Sequence, residues 1–588
     1  MSFKRSELDV QSKQISIHES YRNKVSNAEI RKLDDGFITN ALGDKINLFN
    51  KYRAVIISTP PGSGKTTYCE ETVVNFAVTA RKGKVIIVSN RIAQDIAIKQ
   101  RIAKKFNIYK DFNDAAIHQM TDFGNIIFLT YQQLKKRIRN KVIDDKGVAF
   151  IIFDEAHYFT SDATFSKDNG WLLSQIPKIY CDTVRIYITA TVKDVLPYIC
   201  LSECNPFAIS RWKNRWLQDD YYNKIYQGIA KLSDEEKRQL VLDEQFAYNV
   251  PAPILYEQTS DYSHIKLNFY TSDEEIEKIL AETEHKAIIF VETKERGQEL
   301  HKNFPDSEYM DADTKDNKPE FMGNLVKEEA FKSKFLITTA VFENGCNIKD
   351  TDVKIVVIEN INPVSIVQMA GRRRKCYPSD TFSLYLKVPS IAHLKQLRYL
   401  AVNNLHLISL AEECPNKFMQ EFINSNNSNC LANIISVDNS RYAFDWLTKC
   451  VFQDNTDYYD ELIECILKGG IRGYCSRIAN ECFGQEFCDK MLKQSSESNI
   501  FELSSWLENY ISKILSVEEF KEFVSEFKRK YTSIVGVTNS ENRGKQRQDV
   551  GYTWFNNRMK KHSLPFELIS LSGEQYFLIK RECAKEEN

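Results

Sequence analysis

Ser58-Thr-Pro-Pro-Gly-Ser-Gly-Lys-Thr-Thr67 decides the reading of this chain. It follows a short apolar run, Ala54-Val-Ile-Ile57, and precedes a helix-like run over residues 68–80. A strand, a glycine-bearing loop and a helix in that order build a phosphate cradle: backbone N–H groups turn inward and the helix adds its positive end. Gly62 and Gly64 are the small residues that permit this, with Pro61, Ser63 and Thr67 completing the loop. Lys65 would lie on the β- and γ-phosphates, and the Thr66 hydroxyl would ligate Mg²⁺. The first position of the strict G-x-x-x-x-G-K-[ST] pattern is Thr59, so the Gly-Ser-Gly-Lys-Thr core and its setting carry the assignment. A glycine-rich structural turn is the alternative.

About 90 residues on, Val148-Ala-Phe-Ile-Ile-Phe153 runs into Asp154-Glu-Ala-His157. An apolar strand ending in two carboxylates places both at the mouth where open α/β sheets bind ligands. Asp154 would hold Mg²⁺, and Glu155 can take a proton from an attacking water. Together the two motifs imply ATP hydrolysis with ATP and Mg²⁺ as the required groups.

Around this pair, strands alternate with polar-faced segments: 54–58, 85–89, 126–130, 148–153 and 184–189, then 287–291, 335–338, 355–358 and 382–388. That rhythm predicts an α/β fold with two parallel sheets covered by helices. The expected boundaries are an N-terminal extension (1–45), a first α/β domain (46–200), a linking segment (201–260), a second α/β domain (261–394), a helical accessory domain (395–510) and a basic C-terminal module (511–588). In the linking segment, Trp212, Trp216, Tyr221, Tyr222 and Tyr226 are expected to pack an inserted helix. Phe566–Leu571 and Gln575–Lys580 flank a Gly-containing turn and follow a basic helix-like stretch, 554–561, the outline of a winged helix. A small α+β cap is the alternative.

The 588 residues carry 79 Lys and Arg against 80 Asp and Glu, a net charge of −1. Apolar residues make up 43% and charged residues 27%, which excludes a disordered tail or a collagenous chain. No apolar stretch resembles a signal peptide or a membrane span, and the 14 scattered cysteines suit free thiols, so a cytoplasmic location is expected.

The motifs resemble superfamily 2 DEAD/DEAH-type helicases over residues 54–375. Asp154-Glu-Ala-His157 spells the DEAH box. Ser89-Asn90-Arg91 looks like motif Ia and Leu129-Thr130-Tyr131 like motif Ib, and both touch the nucleic-acid backbone in relatives. Thr189-Ala-Thr191 is similar to motif III, which with His157 links hydrolysis to strand movement. Glu292-Thr293-Lys294 closes a motif IV-like stretch. Thr338-Thr339 through Gly345-Cys346-Asn347 resembles motif V, and Gln368-Met-Ala-Gly-Arg372-Arg373-Arg374-Lys375 resembles motif VI. The resemblance implies two tandem RecA-like domains that close on ATP. Nucleic acid would then lie against Asn90, Arg91, Thr130, Tyr131, Thr293, Lys294, Thr338 and Thr339. Gly345 and Asn347 would face the nucleotide, with Gln368, Arg372 and a third arginine acting in catalysis. The family's last arginine is Lys375 here, which lacks a bidentate fork, so Arg374 is expected to serve instead. Motifs V and VI look closer to the flavivirus-helicase and herpesvirus origin-binding branches than to DEAD-box RNA helicases.

The charge of −1 is a cancellation. Residues 81–146 hold 15 Lys and Arg against 6 Asp and Glu, residues 528–562 hold 9 against 2, and residues 396–470 hold 5 against 10. Basic clusters of this kind contact phosphates, although a solvated helix face is the alternative for each. The leading expectation is an ATP-dependent helicase or translocase on DNA or RNA, with single strand in the motor groove. A nucleic-acid-gated ATPase switch in an antiviral or other complex, docking a partner protein through residues 396–510, is the second. A replication-initiation helicase with sequence-specific DNA binding is the third.

Overall fold

The computed structural model describes residues 28–90, 99–104, 114–142, 147–203, 252–313, 325–342, 347–424, 431–438, 441–494, 503–535, 552–561, 566–571 and 575–580, apart from a few positions inside those ranges, and isolated residues between 228 and 236. The first sheet has seven strands: β1 (Glu29–Leu33), β2 (Val55–Ser58), β3 (Lys84–Ser89), β4 (Ile126–Thr130), β5 (Val148–Phe153), β6 (Val184–Thr189) and β7 (Ile254–Gln258). They lie in the order β1-β7-β2-β6-β5-β3-β4, and every neighbour is parallel. Every residue of β2 and β6 is buried, as strands covered on both faces require. Arg185 is tolerated inside β6 because its guanidinium forks onto Glu203, at 2.8 Å from Nη2, at the end of the helix Leu196–Glu203.

Two of these strands lie in segments expected to be an extension and a linker. β1 comes from residues 1–45 and β7 from residues 201–260, yet Glu29 pairs with Ile254 and Leu33 with Gln258. β1 is the sheet edge, and Glu29, Ile30 and Lys32 are exposed. An edge strand needs no continuous apolar run and so carries little sequence signal. The aromatics from Trp212 to Tyr226 lie outside the described residues.

The second sheet contains β8 (Ile265–Tyr270), β9 (Lys286–Phe290), β10 (Ser307–Met310), β11 (Phe335–Thr338), β12 (Val353–Ile358) and β13 (Phe382–Lys387). Its order is β10-β11-β9-β12-β13-β8, again all parallel. Two tandem parallel α/β domains, the architecture the strand rhythm predicts, are therefore present.

The C-terminal region is mainly helical. The helix Trp446–Phe483 bridges the two α/β domains: Trp446, Leu447 and Cys450 join the core of the first, whereas Leu462, Ile466, Tyr474 and Ile478 join that of the second. It bends at Gly470, whose φ of 61° and ψ of −159° suit only glycine. A small ribbon, β14 (Ser436–Asp438) and β15 (Arg441–Ala443), precedes it. Beyond it, β16 (Ile514–Leu515), the helices Val517–Val535 and Tyr552–Lys561, and the hairpin β17 (Phe566–Leu571) and β18 (Gln575–Lys580) share a separate core. Among the described residues no helix is long and apolar enough to cross a membrane.

Candidate nucleotide site and nucleic-acid interface

The strand order brings the nucleotide motifs together. β2, β6 and β5 are consecutive, so the phosphate loop, Thr189 and the DEAH turn leave neighbouring strand ends, with Ser58 registered against Thr189. Gly62 and Gly64 both have positive φ, 90° and 84°, the backbone that a phosphate-cradling loop needs. Lys65 begins the helical run and is buried, its ammonium donating to the carbonyl oxygens of Thr59 (3.0 Å) and Pro60 (3.2 Å). Asp154 is buried at the end of β5, with Thr66 half-buried at the start of the helical run. Hard oxygen donors beside a positive helix end fit Mg²⁺ and a triphosphate.

Glu155 sits at φ 51°, a left-handed backbone that a non-glycine residue adopts at a cost. The Asp154 carboxylate accepts its N–H at 3.0 Å and helps hold it there. His157 Nδ1 lies 3.3 Å from Glu155 Oε2 and 3.1 Å from Thr189 Oγ1, and the Thr189 hydroxyl also accepts the N–H of Thr191 at 3.1 Å. Glu155, His157, Thr189 and Thr191 thus form a chain from the carboxylate toward the domain surface.

The second domain reaches this chain. Gln368, on the helix Pro363–Ala370, donates to Glu155 Oε2 at 3.3 Å. Arg372 is fully buried and donates to the Gln368 backbone and side-chain oxygens at 3.1 and 3.2 Å. Arg374 overlies the phosphate loop: a methyl group on Gly62 would lie 3.1 Å from its Nη1, and its Nε donates to Asn347 at 2.9 Å. Lys375 points elsewhere, 3.6 Å from the carboxylate of Asp261. Arg373 is structural, forking onto Asp380 at 2.8 Å and the Val353 carbonyl at 2.9 Å. Gly345 lies outside the described residues.

The expected nucleic-acid residues divide. β3 and β4 are adjacent, with Ser89 paired to Thr130, so Asn90 and Thr130 share one end of the first sheet. Asn90 donates to Asp162 at 3.2 Å; Asp162 is pushed up to about 6 by burial, against the pull of Asn90 and Lys135. Thr130 caps the helix Tyr131–Arg139 in a reciprocal pair with Gln133. Thr293 likewise caps Lys294–Asn303, and Lys294 pairs with Asp313. Two residues need correction. Tyr131 is wholly buried, stacks on Tyr158 and donates to the Asp154 carbonyl at 2.9 Å, so it braces the DEAH turn and is closed to a nucleic-acid backbone. Thr338 is also wholly buried, as the last residue of an inner strand, while Thr339 beside it is partly open. Arg91 lies outside the described residues.

Residues 7–194 match the family model described as type III restriction enzyme, res subunit, and residues 271–375 match the helicase conserved C-terminal domain. These matches support a superfamily 2 helicase motor. Similar solved structures include Saccharomyces cerevisiae Dbp5 bound to RNA and ADP BeF3, 15% identical over 57% of this chain and 79% of that one, with a TM-score of 0.36. A variant of Dbp5 with the same ligands is 14% identical over the same shares, with a TM-score of 0.34. No curated protein matches the chain.

Residues that the motifs do not announce also lie against the phosphate loop or hold the turn before it. Phe37 is 65% exposed yet reaches the loop, since a methyl group on Gly64 would lie 3.2 Å from its ring. Gln258 on β7 holds the preceding turn, donating to the carbonyls of Asp34 (2.8 Å) and Gly36 (2.9 Å). An isolated phenylalanine upstream of the phosphate loop is too short a signal to find without the fold. A cleft of about 1220 Å³ between the motor domains, roofed by the bridging helix, carries seven carboxylates against four cations. That balance disfavours it as the path of a phosphate backbone.

Proposed function

We propose that the chain is a nucleic-acid-stimulated ATPase that drives translocation or strand separation. The observation that carries this reading is the junction between domains, where Gln368 meets Glu155 and Arg374 overlies Gly62. Groups from the second domain can reach a triphosphate held by the first only while the two are together. Hydrolysis and domain closure are then one event, and nucleic acid spanning Asn90, Thr130, Thr293 and Thr339 is moved when the domains part.

Glu155 is the general base, held by its backbone strain and by Gln368. His157 and Thr189 pass its state toward Thr191. Lys65 binds the phosphates, and Arg374 stabilises charge as it develops on the γ-phosphate. Mg²⁺, held by Thr66 and Asp154, would supply charge neutralisation on the phosphate oxygens. Phe37 offers a flat apolar face to the nucleotide base. The wording of motifs V and VI supports the flavivirus-helicase and herpesvirus origin-binding branch. The docking of the bridging helix on both domains favours a motor accessory role for residues 395–510 over a free partner platform.

Glu155→Gln tests the reading. ATP binding should persist while nucleic-acid-stimulated turnover falls by about 10²-fold or more. Undiminished steady-state hydrolysis in that variant would remove Glu155 from the role.

A further inference from the structure

Neither family match extends past residue 375, so the C-terminal module must be read from its own architecture. Its elements run from a short helical segment (506–508) through β16, the helix Val517–Val535, the helix Tyr552–Lys561 and β17 to β18. The sheet order is β16-β18-β17, with both pairings antiparallel. A helix, a first strand, two helices and then a hairpin whose last strand returns to the centre is the winged-helix topology.

The core fixes where the third helix points. Phe555 and Met559 are buried, and Phe555 packs its ring on Phe523 (5.6 Å) and Phe527 (4.7 Å) of the preceding helix. Asn556 clasps the hairpin from the same helix: its Nδ2 donates to the Leu568 carbonyl at 2.9 Å and its Oδ1 accepts the Leu568 N–H at 2.8 Å. Phe520 stacks on Tyr576 at 3.7 Å, tying the second helix to β18. Helix and hairpin therefore sit at a set angle. By helical register, positions 553, 557, 560 and 561 lie on the side opposite Phe555 and Met559. Asn557 is exposed there. The helix carries Arg558, Lys560 and Lys561 and no acidic residue.

We infer that this module docks double-stranded B-form DNA, with the helix Tyr552–Lys561 in the major groove and the β17–β18 hairpin beside the backbone. A helix with its side chains is about 10–12 Å across, and a B-form major groove about 12 Å wide admits it. The deep, narrow major groove of A-form RNA does not. Cationic side chains on a helix without a carboxylate suit the phosphate walls of that groove. A duplex grip attached to the motor would hold the double strand on which the motor works. The inference rests on the C-terminal module alone, so it survives if the nucleotide reading fails.

The test uses the full-length chain without nucleotide. Fluorescence anisotropy is measured on a blunt DNA duplex, a single-stranded DNA and an RNA duplex across several salt concentrations. In Lys560→Ala/Lys561→Ala, affinity for the DNA duplex should fall about tenfold, and the dependence of log affinity on log salt should flatten by about 2. Single-strand affinity should hold, and Lys560→Arg/Lys561→Arg should restore the duplex. Unchanged duplex affinity and salt slope would overturn the inference. So would an equal loss on single strands, or wild-type binding to the RNA duplex as tight as to DNA; with no DNA binding lost, the module would be a protein-docking one.

Discussion

Arg374 and Lys375 are neighbours in the chain but reach different parts of the molecule. Arg374 extends over Gly62 and is steadied by Asn347, while Lys375 turns toward Asp261 in the segment between the sheets. A guanidinium offers a planar fork to phosphate oxygens where an ammonium offers one point charge, so the reach of Arg374 and its chemistry agree. Replacing Arg374 with Ala should lower stimulated ATP turnover by about 10³-fold, the scale of an arginine finger. Lys375→Ala should cost far less. Measuring kcat for both variants, with nucleic acid saturating, decides between them, and a larger loss at Lys375 would reverse the assignment. Tyr131 shows the limit of motif reading at this scale. Its motif placed the backbone at the end of β4, but whether the ring faces solvent or the core depends on the stack with Tyr158, which no local pattern encodes. Lys135 is another correction: it counts among the basic residues of 81–146 expected to meet phosphates, yet it is buried beside Leu134 and Ile138, donating to Ser166, Lys167 and Asn169. Burial lowers that ammonium to about 8, so it contributes to packing and not to the basic surface.

At the scale of elements, the helix Pro363–Ala370 is pressed end-on against the phosphate loop. A methyl group on Gly371 would lie 2.8 Å from both Cβ and Cγ of Pro61, closer than real contacts allow. Glycine at the end of this helix thus sets how nearly the second domain can approach the first. Gly371→Ala should wedge the domains apart, with overpacking worth about 1–3 kcal/mol and a loss of turnover of about tenfold or more. Pro61→Gly in the same chain should recover part of the activity; recovery distinguishes a wedge from a misfolded helix. Legibility differed among the elements for physical reasons. β5 and β6 were recoverable to the residue because central parallel strands are continuous apolar runs ending in abrupt polar turns, and β4 was because, although at an edge, it is buried along four of its five residues. β1 and β7 were not, because Glu-Ile-Arg-Lys-Leu and Ile-Leu-Tyr-Glu-Gln become strands by pairing with each other across more than 200 residues. The phosphate loop and DEAH turn were legible because their chemistry depends on local backbone. The contact between Gln368 and Glu155 was not, since it exists only once two domains meet.

The whole molecule is held by a helix that lies outside both α/β sheets and packs on each domain. Asp445, just before Trp446–Phe483, caps that helix through the Leu447 N–H at 3.2 Å and also accepts the N–H groups of Gly170 (2.7 Å) and Trp171 (3.3 Å) at the start of the helix Asn169–Ile179. Gly170 permits the approach, because a methyl group there would lie 2.4 Å from Asp445 Oδ1 and 2.7 Å from Trp446 Nε1. One carboxylate therefore closes two helix ends and docks the bridging helix on the first domain, while its far half packs on the second. Asp445→Ala would orphan these donors and should cost about 2 kcal/mol or more in thermal stability. Burial, and then repulsion from Asp168, push the Asp445 carboxyl up to about 6, against the three N–H donors that pull it down. The folded chain thus keeps a proton that the unfolded chain releases near pH 4. The contribution of this group to stability is largest below about pH 4, declines as pH rises from about 4 to 6, and is level above. Asp162, also raised to about 6, titrates in the same window but is common to both proteins and cancels in their difference. The gap between wild type and Asp445→Ala should therefore be about 1 kcal/mol wider at pH 5 than at pH 7. Melting curves at both values measure it, and a gap independent of pH would mean that the carboxylate is charged throughout and that its hydrogen bonds, not its burial, govern its proton.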